Sequence, residues 1–168
     1  MNRYTVAVLV RNQFGVLNRV TSMFRRRQFN ISALTVSETE SSEFSRITVV
    51  FDGEENNKQQ LVNQLYKLPD MCSIKELTSD NSIGSELMLI KMQNEASSRE
   101  DIRAAAQAFG ATIMEYSKDS IVFQLTGDSR KIDDFINLMR DYTILEICRT
   151  GIVSLERGST TIRKVTNL

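Results

Sequence analysis

The sequence predicts an α+β protein built from two βαββαβ units in tandem. Strand-like and helix-like patterns follow one another as β-α-β-β-α-β up to residue 78. A polar linker, "TSDNSIGS", comes next, and the same order then repeats to residue 160. The 168 residues suffice for two small domains. The expected divisions are 1–78 and 84–160, with 161–168 as a polar tail that frays.

Each element has a local reason. Tyr4 to Val10 is β-branched and apolar, a buried strand. Val16, Leu17, Val20, Met23, Phe24 and Arg27 form a helical stripe with a polar end. Ile31 to Ser37 reads as a strand, "ETESSE" as a turn, and Ser45 to Phe51 alternates like a half-buried strand. "DGEENN" offers carboxylates to a helix N-terminus; Leu61, Val62, Leu65 and Leu68 mark that helix, and Pro69 stops it. Met71 to Leu77 is the fourth strand. In the second unit Glu86 to Met92 is a strand, and "SSRE" (97–100) matches a capping box. Ile102, Ala105, Ala106 and Phe109 form a stripe that Gly110 ends. Thr112 to Tyr116 and Ser120 to Leu125 form a hairpin, and Ile132, Phe135, Ile136 and Met139 mark the last helix. A final strand, Thr143 to Leu155, is interrupted near Gly151. Right-handed crossovers place both helices of a unit on one face of an antiparallel sheet, the ferredoxin-like arrangement. The opposite face carries intermediate residues, suited to a further covering element.

Composition narrows the function. Basic and acidic residues number 21 each, so nothing electrostatic calls for nucleic acid or an anionic membrane. No stretch approaches a membrane span or a secretory h-region, and the chain reads as cytoplasmic. Cys72 and Cys148 read as two buried, reduced thiols. Histidine is absent, which removes the usual general base and metal ligand. "RRR" (25–27) reads as a solvated helix C-terminus, Phe29 as core, and Asp133 with Asp134 as a solvated face. Gly127 and Asp128 read as a turn and an N-cap, not a phosphate loop. Met88, Ile90 and Met92 are either core or partner surface.

The stretch "RNQFGVLNR" stands out. A helix N-terminus presents free N–H groups and partial positive charge to a carboxylate or phosphate. Gly15 permits close backbone approach, Asn12 can accept from an ammonium or donate to a carboxylate, and Val16 and Leu17 add an apolar wall. A small amino acid fits that set; an ordinary strand-to-helix turn uses the same residues.

The longer stretch "RNQFGVLNRVTSMFRRRQFNISALTVSETE" resembles the N-terminal signature of the regulatory (small) subunit of acetohydroxyacid synthase, also called acetolactate synthase. The match rests on Asn12, Gly15, Leu17, Arg19, Val20, Phe24, Arg27, Asn30, Ile31, Ser32, Leu34, Thr35 and Val36. "SRITVVFDG" and "QQLVNQLYKL" resemble the rest of its ACT domain. "ELMLIKM", "FGATIMEYSKDSIVFQLTGDSRKIDDFINLM" and "ILEICRTGIVSLERG" resemble its C-terminal domain. Arg11 and Gln28 depart from the pattern, which favours an acidic residue and a glycine there. The resemblance implies a non-catalytic subunit that binds and activates the catalytic large subunit. It implies feedback inhibition by valine, or by leucine or isoleucine, and puts thiamine diphosphate, magnesium and FAD on the catalytic subunit only. It further implies a homodimer through paired ACT domains. The effector would lie between Asn12, Gly15, Val16 and Leu17 of one chain and Asn30 and Ile31 of its neighbour.

Two alternatives use the same fold. An acylphosphatase-like hydrolase would employ Arg11, Arg19 and Asn12 around the glycine loop, leaving the second domain without a role. An RNA-binding module needs stacking aromatics on central strands, and "RITVVFDG" supplies one.

Overall fold

A computed structural model describes residues 2–163. The first unit contains β1 (Asn2–Arg11), α1 (Val16–Arg26), β2 (Ile31–Glu38), β3 (Phe44–Gly53), α2 (Glu55–Leu65) and β4 (Met71–Leu77). The second contains α3 (Arg99–Phe109), β6 (Thr112–Tyr116), β7 (Ser120–Gly127), α4 (Ser129–Met139) and β8 (Ile144–Arg149), led by β5 (Ser82–Gln93). A short β9 (Val153–Glu156) follows. Both expected βαββαβ units are present.

The first sheet runs β2-β3-β1-β4, all antiparallel. Central β1 is buried from Val6 to Val10, which explains why its sequence does not alternate. Val6, Val8 and Val10 face α1 and α2, where Val20, Phe24, Leu61 and Leu65 complete one core. Phe24, Phe29 and Tyr4 surround Phe51 at 5.4, 5.1 and 5.8 Å between ring centroids. Phe29 is thus core, as expected, and Arg25 to Arg27 are exposed.

Helix α1 ends in a Schellman motif. Phe29 N–H donates to Phe24 O and Gln28 N–H to Arg25 O, both at 3.1 Å, and Phe29 packs on Phe24. Gln28 holds φ 58°, a left-handed conformation that glycine adopts without steric cost. Replacing Gln28 by Gly should therefore stabilise the first unit by roughly 0.5–1 kcal/mol, read from the urea midpoint.

Helix α2 ends at Leu65, four residues before Pro69, so Leu68 packs from the following turn and not from the helix. Lys58 lies buried beneath α2. Its ammonium meets Glu55 at 2.6 Å and Glu76 at 2.7 Å, and stands 4.7 Å from the centroid of the Tyr4 ring. Burial opposes its charge, yet the bonds to Glu55 and Glu76 outweigh this and hold its pKa above the ordinary value. Glu55 is held below its ordinary value by Lys58 and the Tyr4 hydroxyl. A raised lysine stabilises below pH 10.5 and loses that as pH climbs through its folded pKa. A lowered carboxylate stabilises above pH 4.5 and loses that in acid. Lys58→Ala should cost about 2 kcal/mol at neutral pH, because packing and both ion pairs go together. Lys58→Met should recover part of it in the same denaturant titration.

The other face of the first sheet carries Ala7, Leu9 and Leu77, covered by Ile162, with Phe44 and Cys72 alongside. The covering element is the chain's own later segment. The compact units are Gly84–Ile152 and the remainder, so the described residues from Val153 onward belong with the first unit. Compactness thus counts residues 153–160, placed in the second domain by pattern, with the first unit. Gly151, at φ 75°, breaks the final strand, and β9 leaves β8 to pair with β5 near its start, where Ser154 Oγ donates to Ile83 O at 3.0 Å. The expected fraying tail is likewise packed through Arg163; residues 164–168 lie outside the described residues. The linker is an ordered turn: Thr78 N–H donates to Asn81 Oδ1 at 2.8 Å, and Ser82 Oγ to Thr78 O at 2.6 Å.

The second sheet runs β6-β7-β5-β8. Met88, Ile90 and Met92 are fully buried against Ile102, Phe123, Phe135 and Met139, which assigns them to core. Asp128 caps α4, accepting from Lys131 N–H at 2.8 Å, and Gly110 ends α3 at φ 71°. The capping box at 97–100 does not form. Ser98 already has helical backbone (ψ −6°) and its side chain makes no capping bond, while Glu95 O takes the N–H groups of Ser98 and Arg99. Both cysteines are free, but Cys148 is exposed and Cys72 half-buried, where both were expected inside. Edge strands bury only part of each residue. Among the described residues no helix is long and apolar enough to cross a membrane.

Candidate effector site

Gly15 sits at the N-cap of α1 with φ 80° and ψ −1°. This left-handed conformation turns the chain from β1 into the helix within four residues, and it explains the glycine. Val16 N–H donates to Gln13 O at 3.3 Å, and Gly15 O accepts from Arg19 N–H at 3.0 Å. The amides of Leu17 and Asn18 have no acceptor among the described residues. They face outward at the positive end of the helix dipole. No acidic side chain occupies the first turn.

Asn12 is fixed beside this corner. Its backbone N–H donates to Glu43 O at 2.7 Å, and its side-chain Nδ2 donates to Glu38 Oε1 and Ser42 O, both at 3.0 Å. Both amide hydrogens are committed, so Asn12 offers a ligand only its carbonyl. That suits an ammonium and removes the donor role toward a carboxylate. Sequence reasoning missed Glu38 and Ser42. Their place follows from register: Arg11 lies opposite Phe44 on β3, and Ser45 opposite Glu38, so β1 and β2 end at the same corner.

The other expected residues separate into two groups. Val16 is 5% exposed and belongs to the core, so only its backbone can serve the site. Leu17 is 41% exposed and Phe14 is fully exposed, so apolar surface at the corner stands open. Asn30 and Ile31 lie past the far end of the eleven-residue α1, about 16 Å along its axis, and do not meet the corner within one chain. Ile31 opens β2, which is the sheet edge, and Asn30 immediately precedes it. Arg19 is spoken for: NH2 contacts Asp70 Oδ2 at 2.5 Å. One of the two cations that an acylphosphatase-like reading would employ is thus already neutralised, while Arg11 is exposed.

Residues 6–73 match the family model of the AHAS small subunit-like ACT domain, and residues 85–158 match that of the small subunit of acetolactate synthase. The chain belongs to the acetolactate synthase small-subunit family. A probable acetolactate synthase small subunit from Archaeoglobus fulgidus is 42% identical over 157 residues, spanning 94% of this chain and 98% of its own. An acetolactate synthase small subunit from Bacillus subtilis is 41% identical over 155 residues, spanning 92% and 90%. The crystal structure of the acetolactate synthase small subunit from Thermotoga maritima is 31% identical, with a TM-score of 0.84, and covers 95% of this chain and 100% of that one. The ACT domain of this small subunit therefore holds the Gly15 corner, and its C-terminal family region begins just after the ordered linker turn.

Proposed function

We propose that this chain is a regulatory subunit. It activates a thiamine-diphosphate-dependent catalytic large subunit of acetolactate synthase and confers feedback inhibition by valine, with leucine and isoleucine as the other branched-chain candidates. The observation that carries the effector reading is the Gly15 corner. Open amides at a helix dipole would take the α-carboxylate, Asn12 Oδ1 the ammonium, and exposed Leu17 the aliphatic side chain. The corner is half a pocket in one chain.

The missing half would come from a second copy. Strand β2 is an open edge without proline or lysine. Pairing of two such edges about a two-fold axis would bring Asn30 and Ile31 of a neighbour toward the corner. Inhibition then follows from linkage: valine binds one arrangement of the complex better, and shifts the population toward it with a coupling of about 1–3 kcal/mol. A thermal-shift panel of the twenty amino acids on the isolated chain tests this. Valine, or a branched-chain relative, should raise the midpoint in a concentration-dependent way. Equal midpoints across the panel would leave activation of the large subunit as the role.

A further inference from the structure

The first unit has a second feature that the corner does not use. On the sheet face away from α1 and α2, a cavity of about 480 Å³ is lined by Leu9, Glu38, Arg46, Leu155, Glu156 and Arg163, among others. Three polar atoms of these residues are buried with no hydrogen-bond partner among the described residues: Arg46 Nε, Glu156 Oε2 and Arg163 NH2. Each parent side chain is held in place by its other atoms. Arg46 NH2 donates to Ser154 O at 2.6 Å, Arg163 NH1 meets Glu40 at 2.8 Å, and Glu156 Oε1 stands 3.6 Å from Lys75 Nζ. The Glu156 side chain is 9% exposed.

Positioned groups that each leave one atom unsatisfied call for an explanation, since buried polar atoms are nearly always paired. The cavity is of ligand size, well above the ~30 Å³ of one water. Its chemistry is specific. Arg46 Nε and Arg163 NH2 are donors in need of an acceptor, and Glu156 Oε2 is an acceptor in need of a donor. Burial pulls the Arg46 pKa below its ordinary value, and the Glu156 carboxylate offsets only part of that, so an added acceptor is favoured there. The charges around the cavity balance: Arg46, Arg163 and Lys75 against Glu38, Glu40 and Glu156. A bare anion or a bare cation would upset that balance. A molecule carrying both charges would not.

We propose that this cavity is a small-molecule site distinct from the helix corner and takes a small zwitterion, an amino acid being the simplest. The carboxylate would accept from Arg46 Nε and Arg163 NH2, the ammonium would donate to Glu156 Oε2, and Leu9, Leu155 and Ile162 would face its apolar part. The inference stands independently of the corner. The two sites share one wall residue, Glu38, whose Oε1 is held by Asn12, so the test is made in a Gly15→Asp background.

The probe is L-leucine, titrated into the full isotope-labelled chain and followed by NMR. Isocaproate and isoamylamine, which lack the ammonium and the carboxylate respectively, serve as single-charge analogues. Saturable shifts of Arg46 Nε–H and the Ile162 methyls are expected, with a Kd of about 1 mM or tighter. Each analogue should bind at least about tenfold more weakly. Glu156→Gln should weaken L-leucine about tenfold as well, and Arg163→Ala, at a side chain already 40% exposed, checks the same loss without disturbing the core. No saturable shift at Arg46, equal binding of either analogue, or a water cross-peak at Arg46 Nε–H that persists unchanged through the titration would each overturn the proposal. Shifts confined to Leu17 and Asn18 would overturn it too, and in this background would also count against Gly15→Asp as a block of the corner.

Discussion

Gly15→Asp should abolish the response to valine while the complex with the large subunit stays active. The substitution places a carboxylate where the ligand carboxylate would sit, against the open amides of Leu17 and Asn18. Like charges in one site repel, and the helix dipole is then satisfied by the chain itself. The concentration of valine needed for half inhibition should rise at least about tenfold, or about 1.4 kcal/mol. The fold should survive. Asp is among the side chains that enter the left-handed region most readily, at a cost of about 1 kcal/mol. An added Cβ would lie 3.3 Å from Arg19 NH1, a tight contact that the guanidinium relieves by shifting a few tenths of an ångström. Gly15→Asn is the matched control, with similar shape and backbone strain but no charge. If the aspartate keeps full valine sensitivity, the corner is a turn and nothing more.

How far the sequence reaches is clear at particular residues. The order of elements was legible because apolar period changes from 2 to 3.6 and back across each unit, and Gly15, Gly110 and Asp128 punctuate it correctly. Gly15 could be placed at a helix start because the turn needs φ 80°. What Asn12 bonds to was not legible. Glu38 is 26 residues away, and only the strand register brings it near. The same limit applies to Ile162. A covering element for the open sheet face was expected, but one isoleucine in a polar run has no periodicity, so nothing local marks Ile162 as that element. Lys58 is one polar residue among several in α2, and Glu76 on β4 and the Tyr4 ring draw it inward. Buried ion pairs are tertiary facts. The "SSRE" motif failed for a local reason: the chain enters α3 through a backbone turn on Glu95 O, with Ser98 at the N-cap already in helical conformation and its side chain capping nothing.

Arg149→Ala should destabilise the second unit by about 3 kcal/mol. Glu86 is 6% exposed, and its Oε2 accepts from Arg149 Nε at 3.1 Å and NH2 at 2.7 Å, a two-pronged contact that fixes the guanidinium plane. Its other oxygen accepts from Ser129 Oγ at the start of α4. Arg149 NH1 reaches Asp133 at 2.7 Å, so the aspartate is more than part of a solvated face. Burial opposes the Arg149 charge, but the bonds to Glu86 and Asp133 exceed it and raise its pKa. The arginine therefore ties β5, β8 and α4 together. Its removal strands a buried carboxylate, which typically costs about 3–5 kcal/mol; the partial exposure of Arg149 argues for the lower end. Arg149→Lys should lose less, about 1–2 kcal/mol, because one ammonium cannot reproduce the fork. Replacing both partners, Glu86→Leu with Arg149→Met, should recover most of the loss, since no unpaired charge is then left inside. Amide exchange at Leu89, Ile90 and Ile147 reports this unit separately from the first. Unchanged protection there in Arg149→Ala would mean that Ser129 and solvent suffice for Glu86, and that the ion pair serves a partner and not the fold.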